Sequence, residues 1–316
     1  MTELDTALYE ELRPRAFAIA YRMLGSVSEA EDVVQEALLR LHNVLESGEE
    51  VSSPGAYVAT VTTRLAIDEL RSARARRETY VGEWLPEPVV TEEPMSLGVD
   101  DPAQAAELAD SLSLAFLVLL EKLTPEQRAA FLLHDVFDYP YSEIAEIVGR
   151  SESATRQLAV RARARVEAER PAYAVTREQE EELAAKFFGA VQEGDLGALE
   201  QLLAADVELH GDGGGKAPAL ARPIFGRERI VRTLGAWRRI VPRIGGVEFR
   251  VTRVNGRPGA LTTTRDGRII NAMELEIAEG RIQAIRSIVN PDKLAHLGPL
   301  ANLGELLEGL KRRNAD

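Results

Sequence analysis

From residue 5 to residue 78 the apolar positions recur at helical spacing, and the segment reads as all-helical. Val33, Val34, Ala37, Leu38 and Leu41 fall on one face of a helix starting near Ser28, where Ser28-Glu29-Ala30-Glu31 fits a capping box. Ser53-Pro54 predicts a second start, serine at the cap and proline in the first turn. That helix runs through Tyr57, Val58, Val61 and Leu65 into a basic tract from Arg71 to Arg77. Residues 79–103 lose all period and collect proline, glycine and acids, which predicts a linker. Helical spacing resumes near Gln104 and continues to about Glu169. Within it, residues 124–166 break into three pieces, with a glycine-containing turn before an arginine-rich last helix. Many proteins read a DNA major groove with such a tri-helical unit.

Beyond Pro171 the pattern changes. Residues 177–205 predict two helices, and alternating segments follow at 207–210, 247–254, 260–264, 268–278 and 281–289. Asn255-Gly256, Asp266-Gly267 and Glu279-Gly280 supply the turns. Two helices leading into a curved antiparallel sheet predict a small α+β cone, with residues 297–316 as a loosely attached amphipathic tail. The expected division is 1–78, a linker at 79–105, 106–170, 171–296 and the tail at 297–316.

Composition changes this picture in two places. The chain has no cysteine, so disulfides, thiol catalysis and cysteine-ligated metals are excluded, and its four histidines show no metal-ligand spacing. The net charge of −13 hides an uneven distribution. Residues 64–77 carry five arginines against two acids, and residues 150–170 carry six against three. Between them, residues 78–110 hold nine acids and no lysine or arginine. The absence of a long apolar run predicts a soluble cytoplasmic protein without membrane association.

The last helix of the 124–166 unit can be capped by Ser151, which would turn Ser153, Ala154, Arg156, Gln157 and Arg161 toward a groove. A solvated basic helix packed on Ile144, Ile147 and Val148 is the plainer alternative. Asp32, Gln35 and Glu36 share a polar face, where two like charges four residues apart would gain from a basic partner. In the C-terminal part, Asp206, His210 and Asp212 are the only acid/base candidates inside a cone, and nothing suggests a nucleophile with its base. Asp212-Gly213-Gly214-Gly215-Lys216 lacks the Ser/Thr of a phosphate loop and reads better as a tight packing loop. Two of the five lysines, Lys216 and Lys293, sit beside Asp212 and Asp292. These features predict an interdomain contact in which Trp84, Leu85 and Pro86 are the apolar anchor and a lysine finds an acid. The nine acids of the linker also suggest shielding of the two basic helices from DNA when the protein is free, weakening with salt.

Residues 30–37 (AEDVVQEA) resemble the core-polymerase-binding helix of bacterial sigma factors, and residues 66–71 (AIDELR) the promoter-melting segment that follows it. Residues 123–165 resemble the domain that reads the −35 element. Together they resemble extracytoplasmic-function sigma factors, which retain only regions 2 and 4. WLPEP at 84–88, DGGGK at 212–216 and NPDKL at 290–294 resemble the motifs of a subgroup carrying a fused SnoaL-like domain. The resemblance implies two all-α sigma domains followed by an α+β SnoaL-like cone that controls them from within. The implied partners are core RNA polymerase and promoter DNA, with no obligatory separate anti-sigma protein.

By position, the resemblance places Asp32, Gln35 and Glu36 on the polymerase. Thr62, Thr63, Arg64 and Asp68, with Arg71 and Arg74 of the basic tract, would lie near the −10 element, and Ser153, Ala154, Arg156, Gln157 and Arg161 near the −35 element. Arg64 stands where the wider family often has asparagine. Trp84, Leu85, Pro86, Asp212, Gly213, Gly214, Gly215, Lys216, Asn290, Pro291, Asp292, Lys293 and Leu294 would form the regulatory contact. The expected function is transcription initiation at specific promoters, with no catalytic residue, metal or cofactor, and with a small-molecule ligand of the cone left open. The rivals are an effector-responsive helix-turn-helix repressor and a SnoaL-type enzyme fused to a DNA-binding region.

Overall fold

The computed structural model describes residues 3–77, 79–90, 110–168 and 176–307. Most of the acidic linker, the end of the tail and the Arg74 side chain lie outside the described residues, so the shielding idea has no structural counterpart here. The chain divides into two compact units. One holds the residues up to Thr79 and most of 110–168. The other holds the segment from Tyr80, Ser113–Ala115 and the C-terminal part.

The first unit is helical. Helix α1 (Glu3–Leu24) packs on α2 (Val27–Glu46) and α3 (Pro54–Arg77). Val33, Val34, Ala37 and Leu41 are core positions of α2, as the spacing predicts; Leu38 is only half-buried, and Ala30 joins the core in its place. Its cap is Ser26 rather than Ser28: the Ser26 hydroxyl accepts from the Glu29 backbone N–H, and Val27 and Ser28 are already helical. The expected box therefore does not form; the first turn begins two residues earlier. Ser53 does accept from the Ala56 N–H at the start of α3.

A short helix, α4 (Leu114–Leu120), precedes α5 (Pro125–Phe131), whose capping box joins Thr124 and Gln127 in both directions. A π-turn over Leu132–Val136 leads toward α6 (Tyr141–Val148). Gly149 then takes the left-handed conformation, at φ 66°, that lets the chain turn into α7 (Glu152–Glu167), capped by Ser151. The three predicted pieces and their turn are present.

In the second unit, α8 (Arg177–Glu193) and α9 (Leu196–Leu202) lead into a six-stranded sheet. Its strands are β1 (Leu203–Asp212), β2 (Ile224–Phe225), β3 (Val247–Val254), β4 (Arg257–Thr264), β5 (Ile269–Ala278) and β6 (Arg281–Ile288), in the order β2-β1-β6-β5-β4-β3. The sheet is mixed, because β1 runs parallel to β6, which corrects the all-antiparallel expectation. A parallel pair needs a long crossover, and that connection contains α10 (Arg227–Ile240), a helix the alternation search passed over. Phe187, Phe188, Leu199, Val207, Leu209, Leu275, Ile277 and Ile285 form the core between α8–α10 and one face of the sheet.

The tail is not loose as far as it is described. Ile269 N–H donates to Pro299 O, Ala301 N–H donates to Ile269 O, and Leu303 is buried against Ile270 and Val289.

Candidate polymerase and promoter faces

Burying Val33, Val34, Ala37 and Leu41 turns the opposite face of α2 outward. Asp32 and Gln35 are exposed, Glu36 is half-buried and pairs with Arg40 at 2.7 Å, and Leu39 adds a 51% exposed apolar side chain to the same outward side. An acidic face with an apolar knob is suited to a protein partner more than to solvent.

In α7, Thr155, Ala159, Ala162 and Val166 are buried, which leaves Ser153, Arg156, Gln157 and Arg161 exposed and Ala154 half-buried on the outer face. The Arg156 guanidinium stacks over the Tyr141 ring, 4.5 Å from its centroid, and pairs with Glu152 at 2.9 Å.

Helix α3 departs from expectation. Thr62 and Thr63 are fully buried, because they lie on the side of α3 that packs within the helical unit. Thr63 donates to Ala59 O, and the Thr62 hydroxyl has no partner. Neither can touch DNA in this conformation. Asp68 is exposed and pairs with Arg71.

Arg64 and Arg71 instead reach the other helical segment of the same unit. Arg64 donates to Ile147 O at 3.2 Å and to Glu146 O at 2.8 Å, carbonyls in the last turn of α6. A helix C-terminus presents unpaired carbonyls and a partial negative charge, which a guanidinium satisfies. Arg71 bonds Glu126 in the first turn of α5 at 2.7 Å, holding the Glu126 carboxyl below its usual pKa.

Two further arginines, missed by sequence reasoning, are sealed inside the unit. Arg22 in α1 is 1% exposed and donates to Ser111 Oγ at 2.8 Å while lying over the Phe137 ring. Arg128 in α5 donates to Met23 O at 2.6 Å, Leu120 O at 3.0 Å and Glu121 at 2.9 Å. Burial pulls the Arg22 guanidinium down to about 10 and that of Arg128 to about 9, so both stay charged at neutral pH. The only sequence signal was an arginine at helical register with apolar neighbours.

In the second unit the predicted motifs meet. Asp212, 0% exposed, accepts from Tyr80 OH at 2.6 Å, Leu85 N–H at 2.8 Å, Gly214 N–H at 3.0 Å and Lys293 Nζ at 2.7 Å. Lys293 also donates to Leu85 O, and its ammonium lies 4.4 Å from the Trp84 ring centroid and 4.9 Å from that of Tyr80. Leu85, Pro86 and Pro88 are buried while Trp84 is only half-buried, so Leu85 is the apolar anchor and Trp84 the cation-π face.

Asn290 caps the turn of Pro291, Asp292, Lys293 and Leu294, donates to Tyr80 OH, and with Val289 gives its backbone N–H to Asp212 O. Lys216 pairs with Asp292 of the 290–294 motif. A Cβ on Gly213 would lie 2.3 Å from Ala217 O, and one on Gly214 2.3 Å from Asn290 Nδ2, so this loop needs glycine to close. Gly215, at φ 70°, lies against Val81. The segment from 80 to 90 continues along the domain, with Pro88 O accepting from His296, Val89 paired to Asn255 and Val90 bridged to Val254.

His210 and Asp212 are not an acid/base pair inside the cone. Strand alternation puts Leu209 with Ile285 on the core face and Glu208, His210 and Asp212 with Arg286 and Ile288 on the other. His210 bonds Glu83 at 2.7 Å and Glu208 at 2.8 Å. Burial alone would lower its pKa, but the two carboxylates outweigh that and raise it. Asp206 is exposed. Among the described residues no cluster of acids and histidines could hold a metal ion, and no helix is long and apolar enough to cross a membrane.

Glu274 lies on the same outer face. Burial pushes its carboxyl up to about 7, against the pull of Arg286 and of the Leu114 N–H it accepts at 2.8 Å. A raised acid favours the fold when protonated, so its contribution is full below pH about 4.5 and is lost as pH rises through about 7. Glu274→Gln is expected to flatten the fall in stability of the second unit over that window, as measured by urea denaturation at pH 5 and pH 8. An unchanged slope would show that Glu274 is ionised throughout.

Residues 8–76 match the family model described as Sigma-70 region 2, and residues 113–166 match Sigma-70, region 4. The chain is 39% identical over 300 residues to the ECF RNA polymerase sigma factor SigJ of Mycobacterium tuberculosis, covering 92% of this chain and 93% of that protein. It is 31% identical over 288 residues to the probable ECF RNA polymerase sigma factor SigI of the same species, covering 87% and 90%. The crystal structure of SigJ superposes with a TM-score of 0.72 at 37% identity, covering 94% of this chain and 100% of that one. With both sigma regions in order and relatives matched along nearly their full length, the chain belongs to the extracytoplasmic-function sigma factors, non-enzymatic transcription initiation factors that direct core RNA polymerase to promoter DNA.

Proposed function

We propose that this sigma factor is held in a closed form by its own contacts and that its SnoaL-like domain governs opening by gripping the segment that leaves region 2. In this reading Asp32, Gln35 and Glu36 dock on the polymerase. Arg64, Asp68, Arg71 and Arg74 serve the −10 element, and Ser153, Ala154, Arg156, Gln157 and Arg161 the −35 element.

The observation that carries the reading is the bonding of Arg64 and Arg71 to α6 and α5. Elements centred at −35 and −10 are separated by about 85 Å of duplex, at about 3.4 Å per base pair. Helices in hydrogen-bond contact have axes only about 10 Å apart. A sigma factor with α3 on α6 therefore cannot span both elements, and the two regions have to part on the promoter. Any parting draws on the chain between them, of which residues 80–90 are fixed to the cone by Asp212, Asn255, Lys293 and His296. The cone thereby shortens the free connector. Opening is then a population shift that polymerase and promoter drive by binding the separated form. No separate membrane or anti-sigma partner is needed for such restraint.

Run-off transcription with core polymerase tests this, comparing the full chain with versions ending near residues 168 and 296. Promoter-specific transcripts are expected from all, with a higher yield once the cone is removed. Equal yields from the full chain and the version ending near 168 would remove the regulatory role. Tight promoter binding without any transcript would favour a repressor.

A further inference from the structure

The core face of the sheet does not fill the cone. A cavity of about 450 Å³ remains between α8, α10 and the sheet, lined chiefly by Phe187, Leu209, Leu234, Trp237, Phe249 and Met273. Side chains of the tail, Leu303 and Leu307, line it too. Packed interiors rarely leave voids larger than a water molecule, and pockets of about 300–1,000 Å³ are those that hold small ligands.

The polar groups in this cavity are few and adjacent. Thr262 on β4 and Asn271 on β5 are cross-strand partners, and Asn271 donates to Ser287 Oγ on β6 at 3.2 Å. All three line the cavity. Thr262 is 6% exposed and Asn271 4% exposed, yet Thr262 Oγ1 and Asn271 Oδ1 have no hydrogen-bond partner. Each such buried atom costs about 1–3 kcal/mol if left unpaired. Two of them side by side in an otherwise apolar chamber form a receptor for a donor that the protein does not supply.

We propose that the cone is a binding site for a compact, mostly apolar, uncharged small molecule that presents a hydroxyl or N–H to Thr262 and Asn271. Of the basic residues that line it, Arg238 is exposed and both ring nitrogens of His210 are taken by Glu83 and Glu208, so the interior offers no free counter-charge to a strongly ionised ligand. The site stands apart from the closed-form reading above. Its regulatory use rests on that reading, because Gly211, Pro218, Ala219 and Leu220 line the cavity while the neighbouring Asp212 bonds Tyr80 and Leu85 of the region 2 connector.

The test uses the full chain and the neutral fluorophore N-phenyl-1-naphthylamine, an apolar molecule with one N–H. Saturable one-to-one binding is expected, with quenching of Trp237, which lines the cavity, in a Trp84→Phe background. Thr262→Val is expected to weaken binding about fivefold to tenfold by removing one acceptor without changing shape. Leu234→Trp, which fills the chamber, is expected to abolish it. Circular dichroism melting confirms that each variant is folded. The proposal is overturned if a folded wild type shows no saturable binding, or if both variants bind as wild type does. It is equally overturned if binding leaves Trp237 emission untouched. None of these results bears on the transcription assay, so the two readings fail separately.

Discussion

Asp212→Ala is expected to lower the stability of the C-terminal unit by about 3–5 kcal/mol, the usual cost of leaving one member of a buried ion pair behind. The alanine removes the carboxylate from four donors at once: Tyr80, Leu85, Gly214 and Lys293. Lys293 is 6% exposed, and Leu85 O and the two aromatic faces that it also meets carry no full negative charge. The second effect is release of the connector, because the Leu85 N–H and the Tyr80 hydroxyl lose their acceptor. Urea denaturation followed by tryptophan emission, to which Trp84 and Trp237 of this unit both contribute, measures the first, and the rate of proteolysis between residues 80 and 90 measures the second. The double variant Asp212→Ala, Lys293→Met is expected to recover much of the stability, since it leaves no uncompensated charge, but not the grip on the connector. Run-off yield from both variants is expected to approach that of the chain ending near residue 168. A loss under 1 kcal/mol, or a connector still resistant to protease, would show that Asp212 is not the centre of the contact.

How much of this was legible before the structure depends on what carried each signal. Helix α2 was readable because Val33, Val34, Ala37 and Leu41 repeat at 3.6 residues, and α7 because Ser151 caps it after a glycine turn. The motifs at 84–88, 212–216 and 290–294 were visible as odd clusters of tryptophan, glycine and lysine, but not their wiring. That Lys293 rather than Lys216 reaches Asp212 is a matter of three-dimensional register. The parallel β1–β6 pair was hidden because alternation marks a strand and not its neighbour; α10 was legible, since Ile230, Val231, Leu234, Trp237 and Ile240 recur at helical spacing as the stripe of α2 does. His210 and Asp212 look like cavity residues in sequence and lie on the opposite face of the sheet; one residue of phase decides that. Thr62 and Thr63 are covered in this structure, and motif position says nothing of which side of α3 packs inward.

Arg128→Met is expected to have the second large effect, and it bears on the sigma regions directly. Methionine keeps the apolar stem but takes the guanidinium from Met23 O, removes one of the two donors of Leu120 O, which keeps the Leu123 N–H, and takes the cation from Glu121. The loss at Met23 O, at about 1–3 kcal/mol, and the weaker loss at Leu120 O, less the relief of burying no charge, predict a net loss of about 1–3 kcal/mol in the helical unit. The exposed contacts contribute less, at about 0–1 kcal/mol each: Arg64 on the carbonyls that end α6 and Arg71 on Glu126. Arg128 is therefore the stronger link between α1 and α5, and Arg64 and Arg71 set the orientation. If the link holds region 2 to region 4, the variant should give more run-off transcript at limiting polymerase, because less free energy is spent in parting the regions. Small-angle scattering of the free protein should show a larger radius of gyration. Lower stability with unchanged scattering and unchanged transcript would reduce Arg128 to a core residue of region 4, and the restraint would then rest on the cone's grip of residues 80–90 alone.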